Sequence, residues 1–348
     1  MNIFFFLLIF FQLLLVFQMD KRFISISNSI LIFISFFLLF FLAAFRYGIA
    51  TDYWSYYNIF LGENIKVEKG YLFLQNLIKF FGGSFNVLIF SIAFLSMWTK
   101  YAIFKTYRNP LFAIFLYFTL YYIHLEYNGI RQGFAIAFLL YGIEAGIKRN
   151  KQHFLFYVLL SSLIHISSLF FLIVYPLCVR TYKISYLKLL FILLFTFIFK
   201  IFLLDSFVDV VMNGFFQRFS TNIFINKLST YFVIRKFEIS MGLIRRILIL
   251  LFYMLLTNNK EHSIYFVLYI IGIIIYMVFS GNAVAAYRLS LVFDFFSIPL
   301  FAKSSIKMTK KNAFLLIGLF LFLSITFVSN LIQPGYVLPY KTYLFGGM

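Results

Sequence analysis

Charge and cysteine are scarce in this sequence. Only 12% of its 348 residues are charged and 63% are hydrophobic, whereas about a quarter of a soluble domain is charged. This composition excludes an ordinary soluble domain and indicates a polytopic membrane protein. Cys178 is the single cysteine, which excludes an intrachain disulfide and a cysteine-based metal site.

Signatures of phosphate, nucleotide and metal binding are also missing. The chain contains no G-x-x-x-x-G-K-[ST], G-x-G-x-x-G, C-x-x-C or H-E-x-x-H pattern, which argues against phosphate loops, Rossmann binding and the common zinc sites. It has no D-x-D pattern that would hold a nucleotide sugar through a metal. We therefore expect no cofactor and no metal. The net charge of +19 lies largely in short loops that set membrane topology, so it predicts no nucleic-acid partner.

Long apolar segments divide the chain. They cover residues 2–19, 28–45, 85–106, 110–125, 131–147, 154–178, 186–206, 241–257, 262–280, 286–302 and 312–332. The positive-inside rule assigns the short basic loops between them to the cytoplasm. Two such loops, at 148–153 and 180–188, flank the apparent span at 154–178, so the chain must cross the membrane an even number of times between them. We infer a hairpin that turns near residues 161–165, with His165 at the floor of an outward-facing cavity.

The pattern predicts an all-α, polytopic membrane protein with about twelve membrane segments and both termini on the periplasmic or extracellular side. We treat residues 1–348 as a single integral membrane domain with outward-facing loops near 46–84 and 207–240. Within the first loop, residues 71–80 have the pattern of an amphipathic helix in the membrane interface. The G-x-x-x-G step at 142–146 predicts close helix packing.

Ionisable residues gather on the predicted outer side of this protein. They are Arg46, Asp52, Glu126, Arg131, His165, Arg245, Arg246 and Arg288. Charges at membrane depth are costly and are therefore functional candidates. For any one arginine the alternative is interfacial snorkelling. Several arginines beside a histidine, on the side where the positive-inside rule disfavours them, predict a site for a lipid-linked phosphate or pyrophosphate, which guanidinium groups bind bidentately.

Four stretches of the sequence resemble a known family. They are F-R-Y-G-I-A-T-D-Y-W-S-Y-Y at 45–57, N-G-I-R-Q-G-F-A-I-A-F from 128, F-L-F-Y-V-L-L-S-S-L-I-H-I-S-S-L-F-F at 154–171, and Y-R-L-S at 287–290. In order and spacing they resemble the EpsG family of bacterial exopolysaccharide proteins, which is similar to the Wzy O-antigen and capsule polymerases.

The resemblance implies a glycosyltransferase of the GT-C-like class in the bacterial inner (plasma) membrane. Such an enzyme joins oligosaccharide repeat units on the outer face of that membrane, in lipopolysaccharide, capsule or exopolysaccharide synthesis. Undecaprenyl pyrophosphate-linked sugars serve as both donor and acceptor. The further partners implied are membrane lipid, a chain-length regulator and a flippase.

Combined with the charge pattern, the resemblance gives a hypothesis for each site residue. Arg131 and Arg288 would clamp the leaving pyrophosphate, supported by Arg46 or Arg245. His165 would be the general base, with Asp52 as the alternative base. Residues assigned to sugar stacking or other substrate contacts are Tyr53, Trp54, Tyr56, Tyr57, Gln132, Arg246 and Tyr340.

Two other functions fit the same pattern. An O-antigen ligase transfers finished polymer to a lipid core and differs in its acceptor. A lipid-linked oligosaccharide flippase is not an enzyme, and it would carry polar residues along a full transmembrane path.

Overall fold

The computed structural model is helical throughout the part of the chain that it describes. The described residues are 3–19, 28–63, 67–180, 182–204, 240–257, 263–306, 309–332 and 337–345. Within these ranges no strand forms, and an isolated β-bridge joins Arg46 to Thr342. The prediction of an all-α protein is confirmed. Apart from Ser240, the predicted outward loop at 207–240 lies outside the described residues.

The chain forms two compact units, the first of which contains residues 1–179 and 301–348. Its α-helices in chain order are α1 (Ile3–Met19), α2 (Asn28–Ala44), α3 (Tyr53–Leu61), α4 (Lys69–Phe80), α5 (Phe85–Phe104), α6 (Pro110–Tyr117), α7 (Ile130–Ile147), α8 (Lys151–Ile164), α9 (Tyr175–Cys178) and, near the C-terminus, α15 (Lys310–Leu331). Two π-helical stretches, Phe118–Tyr122 and His124–Asn128, follow α6, and two 3₁₀ segments cover Ile166–Val174 and Tyr343–Phe345.

The second unit contains residues 180–300. Its helices are α10 (Tyr186–Phe199) with a π-helical end at Lys200–Leu204, α11 (Met241–Thr257), α12 (Ile264–Val278), α13 (Ala283–Asp294) and the first part of α14 (Ser297–Ala302). Each apolar segment predicted from the sequence contains a described helix. Ridges of apolar side chains on these helices form the cores of the two units.

Four stretches among the described residues are long and apolar enough to cross a membrane. They are Phe85–Phe104, Ile130–Ile147, Ala283–Ala302 and Lys310–Leu331, and further apolar helices of 10–17 residues accompany them. A helix needs about 20 residues to cross the hydrocarbon core at 1.5 Å per residue. A helical membrane protein is therefore supported, while twelve spans and the placement of both termini outside stay predictions.

The hairpin predicted within 154–178 is present. Helix α8 ends at Ile164, His165 is extended, and the chain returns as a 3₁₀ helix. The two arms of the hairpin pack against each other. The Ser161 hydroxyl donates to the Ser168 Oγ at 2.7 Å, and the ring centroids of Phe154 and Tyr175 lie 5.1 Å apart. The hairpin packs on α7, where a Cβ on Gly146 would lie 2.8 Å from the sulfur of Cys178. The close packing predicted for the G-x-x-x-G step is thus confirmed.

A buried ion pair joins α5 to the π-helical stretch before α7. The Nζ atom of Lys100 lies 2.6 Å from Oε1 of Glu126 and donates to the Gly133 carbonyl at 2.9 Å, and both charged side chains are almost fully buried. Tyr117 donates to the same carboxylate oxygen at 2.6 Å. The positive-inside rule assigns Lys100 to the cytoplasmic side, whereas Glu126 is predicted on the outer side. The two charges lie 2.6 Å apart, so these two predictions cannot both hold. Each charge has its counterion inside the bundle, where burying either alone would be costly.

A short C-terminal strap, residues 340–345, packs against the end of α2 and the loop that follows it. The amide of Tyr47 donates to the carbonyl of Lys341 at 3.0 Å, next to the bridge between Arg46 and Thr342. The rings of Phe45 and Tyr343 lie 5.5 Å apart. The strap therefore fixes the loop that leads into α3.

Candidate active site at the hairpin tip

The tip of the hairpin meets the start of the amphipathic helix α4. Gly70 lies in the first turn of α4, and a Cβ built there would approach the carbonyl oxygen of Leu163 to 2.6 Å. Glycine is the residue that allows this approach between two backbones. The contact brings Glu68, which precedes α4, next to His165, which follows α8.

Glu68 contacts two of the predicted site residues at once. One carboxylate oxygen, Oε2, forms an ion pair with Nη1 of Arg131, and the other, Oε1, lies 3.2 Å from Nδ1 of His165. The backbone amide of Ile166 donates to Oε1 at 3.4 Å. Because the carboxylate faces Nδ1, the Nε2 atom of His165 is the ring nitrogen that this contact leaves unused. The structure thus brings Arg131 and His165 together through a third residue.

The Glu68 carboxylate is held in its charged form. Burial acts to raise its pKa, but the hydrogen bond with His165 and the charge of Arg131 outweigh burial and lower the pKa from 4.5 to about 2. Glu68 is therefore an anion at any physiological pH. A permanent anion at this position orients the imidazole of His165.

Two tyrosines enclose the guanidinium of Arg131. It lies 5.6 Å from the ring centroid of Tyr56, with which it shares a hydrogen bond, and 5.7 Å from that of Tyr71. Burial raises the pKa of the Tyr71 phenol, so this group stays neutral. The buried Tyr71 hydroxyl and the Nε atom of Arg131 have no hydrogen-bond partner among the described residues. Buried polar atoms are normally satisfied, so these two atoms are exceptions within the site.

The site is sheltered but open. The side chain of His165 is 27% exposed, that of Arg131 24% and that of Glu68 15%. Partial exposure allows a substrate to reach the imidazole, while the surrounding protein lowers the local dielectric and strengthens charge–charge interactions.

Arg46, predicted to support the phosphate clamp, is used inside the protein. It is 1% exposed, and its guanidinium donates to the carbonyls of Ala43, Glu126 and Tyr127 and lies 5.0 Å from the Tyr127 ring centroid. The guanidinium satisfies carbonyls where the π-helical stretch ends, a place where backbone acceptors lack helical partners. The structure therefore gives Arg46 a structural role, in which it binds the backbone before α7.

The four aromatic residues assigned to sugar stacking separate into two pairs. Tyr53 and Tyr56 are buried in a core cluster with Phe85 and present no open ring face to a sugar. Trp54 is half exposed, and its ring centroid lies 5.7 Å from that of the partly buried Tyr57. This corrects the prediction for the first pair, because α3 turns one side toward the core. A stacking role stays a proposal for Trp54 and Tyr57.

Asp52, the alternative base, lies just before α3 in a loop tied to the turn before α7. Thr51 donates its hydroxyl to Asp52 at 3.2 Å, and its amide and hydroxyl both donate to the side chain of Asn128. Gln132 is buried in the first turn of α7. Tyr340 donates to the carbonyl of Leu42 at 3.0 Å, which ties its hydroxyl to the backbone of α2.

The other predicted arginines belong to the second unit. Arg246 is buried, and its Nη2 atom donates to Asp294 at 2.6 Å and to Ser290 at 2.9 Å, so its guanidinium serves an internal ion pair. Arg245 is half-buried on α11, and Arg288 is exposed on α13. Joint action of Arg288 with Arg131 stays a prediction.

Sequence reasoning missed Glu68 and Tyr71. Glu68 is one of only 11 acidic residues in the chain, and it lies on the same predicted outer side as Arg131 and His165. A scarce carboxylate next to an amphipathic helix was a usable signal, since a cation and a histidine at membrane depth need an anion nearby. Tyr71 carried no such signal, because the chain has 25 tyrosines.

No group of three or more His, Cys, Asp or Glu side chains in the described part of the chain is placed to hold a metal ion. The chemistry available at the hairpin tip is a histidine oriented by a carboxylate, next to a partly exposed guanidinium. This arrangement suits proton abstraction beside an anionic group.

Comparison with known proteins agrees with the motifs of the sequence. No curated protein and no solved structure matches the chain. The family model described as "EpsG family" matches residues 29–342, a range that includes Glu68, Arg131 and His165. The chain belongs to the EpsG family.

Proposed function

We propose that this EpsG-family protein is a polysaccharide polymerase with a GT-C-like fold in the bacterial plasma membrane. It joins undecaprenyl pyrophosphate-linked oligosaccharide repeat units on the outer face of that membrane without a metal. The observation that carries the proposal is the contact of Glu68 with both Arg131 and His165 at the hairpin tip. Family membership supports a polymerase of this type.

In the proposed reaction, a hydroxyl of the acceptor attacks the anomeric carbon of the lipid-linked donor. A new glycosidic C–O bond forms, the bond between the anomeric carbon and the pyrophosphate breaks, and the hydroxyl proton passes to Nε2 of His165. The lipid pyrophosphate leaves with the electron pair of the broken bond. Glu68, which faces Nδ1, stabilises the imidazolium that results.

Arg131 stabilises the negative charge that develops on the leaving pyrophosphate. Its Nη1 atom is paired with Glu68, but its buried Nε has no partner among the described residues and the side chain is partly exposed. A guanidinium oriented before the reaction favours the transition state more than a mobile charge does. Arg288 is proposed as the second cation of this clamp, supported by Arg245.

His165 is preferred to Asp52 as the base because the Glu68 carboxylate orients its imidazole. Asp52 instead accepts a hydrogen bond from Thr51 in the loop before α3. In this proposal Trp54 and Tyr57, which lie in α3, contact the sugars. Replacing Asp52 with Asn should then reduce turnover less than replacing His165 with Ala.

The test uses the purified full-length protein in liposomes with a lipid-linked repeat unit and EDTA, and products are resolved as a ladder on a gel. Wild type should form a ladder and His165→Ala should not. His153→Ala is the matched control, since His153 lies in the same helix α8 and is exposed at its other end. It should keep wild-type activity.

Three outcomes would contradict this proposal. A ladder that appears only with added magnesium or manganese would overturn the metal-free mechanism. Transfer to a different acceptor without polymerisation would favour the ligase. Movement of the lipid-linked sugar across the bilayer without any new bond would favour the flippase.

A further inference from the structure

An apolar crevice lies beside the Glu68–Arg131–His165 site, within the first unit. Its volume is about 350 Å³, and it lies between α4, α5, α7 and α8. Side chains that line it include Leu74, Ile92, Leu95, Phe134, Phe138 and Leu160. Such a lining favours hydrocarbon over sugar.

The crevice is charged at one end only. Lys69 and Arg131 both line it, and they lie close together because Glu68, the neighbour of Lys69, pairs with Arg131. Along α7, Arg131 is followed on the same face by Phe134 and Phe138. Seven residues of helix cover about 10 Å, so the crevice runs from the cations at the hairpin tip toward the middle of α7.

Its walls continue into exposed apolar surface. Leu95 is 37% exposed, Leu163 49% and Phe73 70%, and all three line the crevice. The same outer surface of α4 carries Phe80, while the opposite face of α4 buries Tyr71. An amphipathic helix of this kind lies in the membrane interface, so a lipid could enter the crevice sideways from the bilayer.

We infer that this crevice binds the hydrocarbon chain of an isoprenoid pyrophosphate, the part next to the phosphates, with the pyrophosphate at Lys69 and Arg131. The inference rests on the proposed function for the identity of the lipid and names where that substrate is held. Two features select this occupant. A crevice of about 350 Å³ has room for part of one chain, whereas a bilayer phospholipid has two, and Lys69 adds a second cation beside Arg131, whose charge is shared with Glu68.

The test measures binding of radiolabelled geranylgeranyl pyrophosphate to the purified full-length protein in detergent. Binding should be saturable. Geranylgeraniol alone and inorganic pyrophosphate alone should compete much more weakly than the unlabelled complete lipid, because each fills only one part of the site. Phosphatidylglycerol should compete weakly as well.

Bulky substitutions test the apolar part. Leu160→Trp should weaken binding of geranylgeranyl pyrophosphate by about tenfold or more, since it fills space that several methylene groups would occupy. Leu159→Trp is the matched control on the same helix, because Leu159 is exposed and does not line the crevice. Phe138→Trp, on the facing helix, tests the same space independently if Leu160→Trp fails to fold.

A charge substitution tests the other end. Lys69→Gln should weaken binding of geranylgeranyl pyrophosphate by roughly fivefold, as expected for one largely exposed cation, and should leave competition by geranylgeraniol unchanged. Lys79→Gln is its control, since Lys79 lies on the same helix over the ring of Phe60 and does not line the crevice.

Two results would overturn the inference: equal competition by phosphatidylglycerol, or unchanged binding when the crevice is filled at Leu160 and at Phe138. Because the readout is binding, it separates the two proposals. Binding that depends on the crevice without any ladder would reject the polymerase and keep the lipid site. A ladder that is unaffected by filling the crevice would keep the polymerase and reject the lipid site.

Discussion

The Nδ1 atom of His165 lies 3.2 Å from Oε1 of Glu68, across the contact between the hairpin tip and α4. The two residues come from separate segments and meet because Gly70 lets the start of α4 approach the backbone of Leu163. The pair resembles other carboxylate–histidine pairs in its chemistry, since an anion on one ring nitrogen directs the other nitrogen to the substrate.

Replacing Glu68 with Gln should lower the polymerisation rate by about tenfold to a hundredfold, because the amide is neutral and stabilises an imidazolium less well. The measurement is the initial rate of ladder formation by purified protein. Glu63→Gln is the control, because Glu63 is exposed and lies in the same connection between α3 and α4 as Glu68. A Glu68→Gln protein with the wild-type rate would remove the carboxylate from the mechanism.

The same carboxylate predicts a pH dependence of stability. Its pKa in the folded protein is about 2, below the value of 4.5 in the unfolded chain. Glu68 therefore stabilises the fold fully above pH 4.5, and this contribution is lost as pH falls toward 2. The difference in Tm between wild type and Glu68→Gln, measured in detergent, should be largest near neutral pH and shrink in that acid range. A difference that grows as the pH falls would contradict the lowered pKa.

Replacing Arg131 with Lys should reduce the rate by about a hundredfold, as observed when a single oriented donor is lost from a transition state. A lysine keeps the charge but cannot hold Glu68 and a phosphate oxygen at once with a planar fork. The rate of ladder formation is the readout, and Arg108→Lys, at an exposed position, is the control. If Arg131→Lys were as active as Arg108→Lys, the planar guanidinium of Arg131 would have no role in the reaction.

The second proposed cation has its own test. Arg288→Lys should lower both the rate and the length of the polymer, because a point charge replaces a bidentate group. Arg180→Lys, another exposed arginine, should have no effect. Unchanged polymer length and rate in Arg288→Lys would exclude Arg288 from the clamp.

Replacing Lys100 with Met should reduce the free energy of unfolding by about 3–5 kcal/mol, because Glu126 would be left buried without its counterion. Adding Glu126→Gln to this variant should recover part of the loss, since the unpaired charge is then removed. Thermal unfolding in detergent gives the comparison, with the exposed Lys105→Met as control. Equal stability of Lys100→Met and wild type would show that the pair contributes nothing.

Much of the fold could be predicted from local pattern. Apolar segments mark helices because each helix here must face lipid or a packed core, and both favour hydrophobic side chains. The hairpin within 154–178 followed from charge alone, since two basic loops on one side require an even number of crossings. Ser161 and Ser168 then meet within hydrogen-bond distance across the two arms.

These errors share a physical cause. Two residues that pair from distant positions in the chain show no pattern in the sequence around either of them. Lys100 resembled a loop cation because it lies near the end of an apolar segment, and its partner Glu126 is on another helix. Arg46 and Arg246 resembled phosphate ligands, but backbone carbonyls and Asp294 occupy their guanidinium groups. Tyr53 and Tyr56 resembled a stacking surface because the sequence does not reveal which side of a short helix turns inward.

The C-terminal strap sets an order of events during biosynthesis. A chain emerges from the ribosome from its N-terminus, so the loop at Tyr47 is made long before Lys341, which accepts its amide hydrogen. Every described α-helix precedes the strap in the chain. The loop that leads into α3 therefore receives this partner only after all of those helices have been translated.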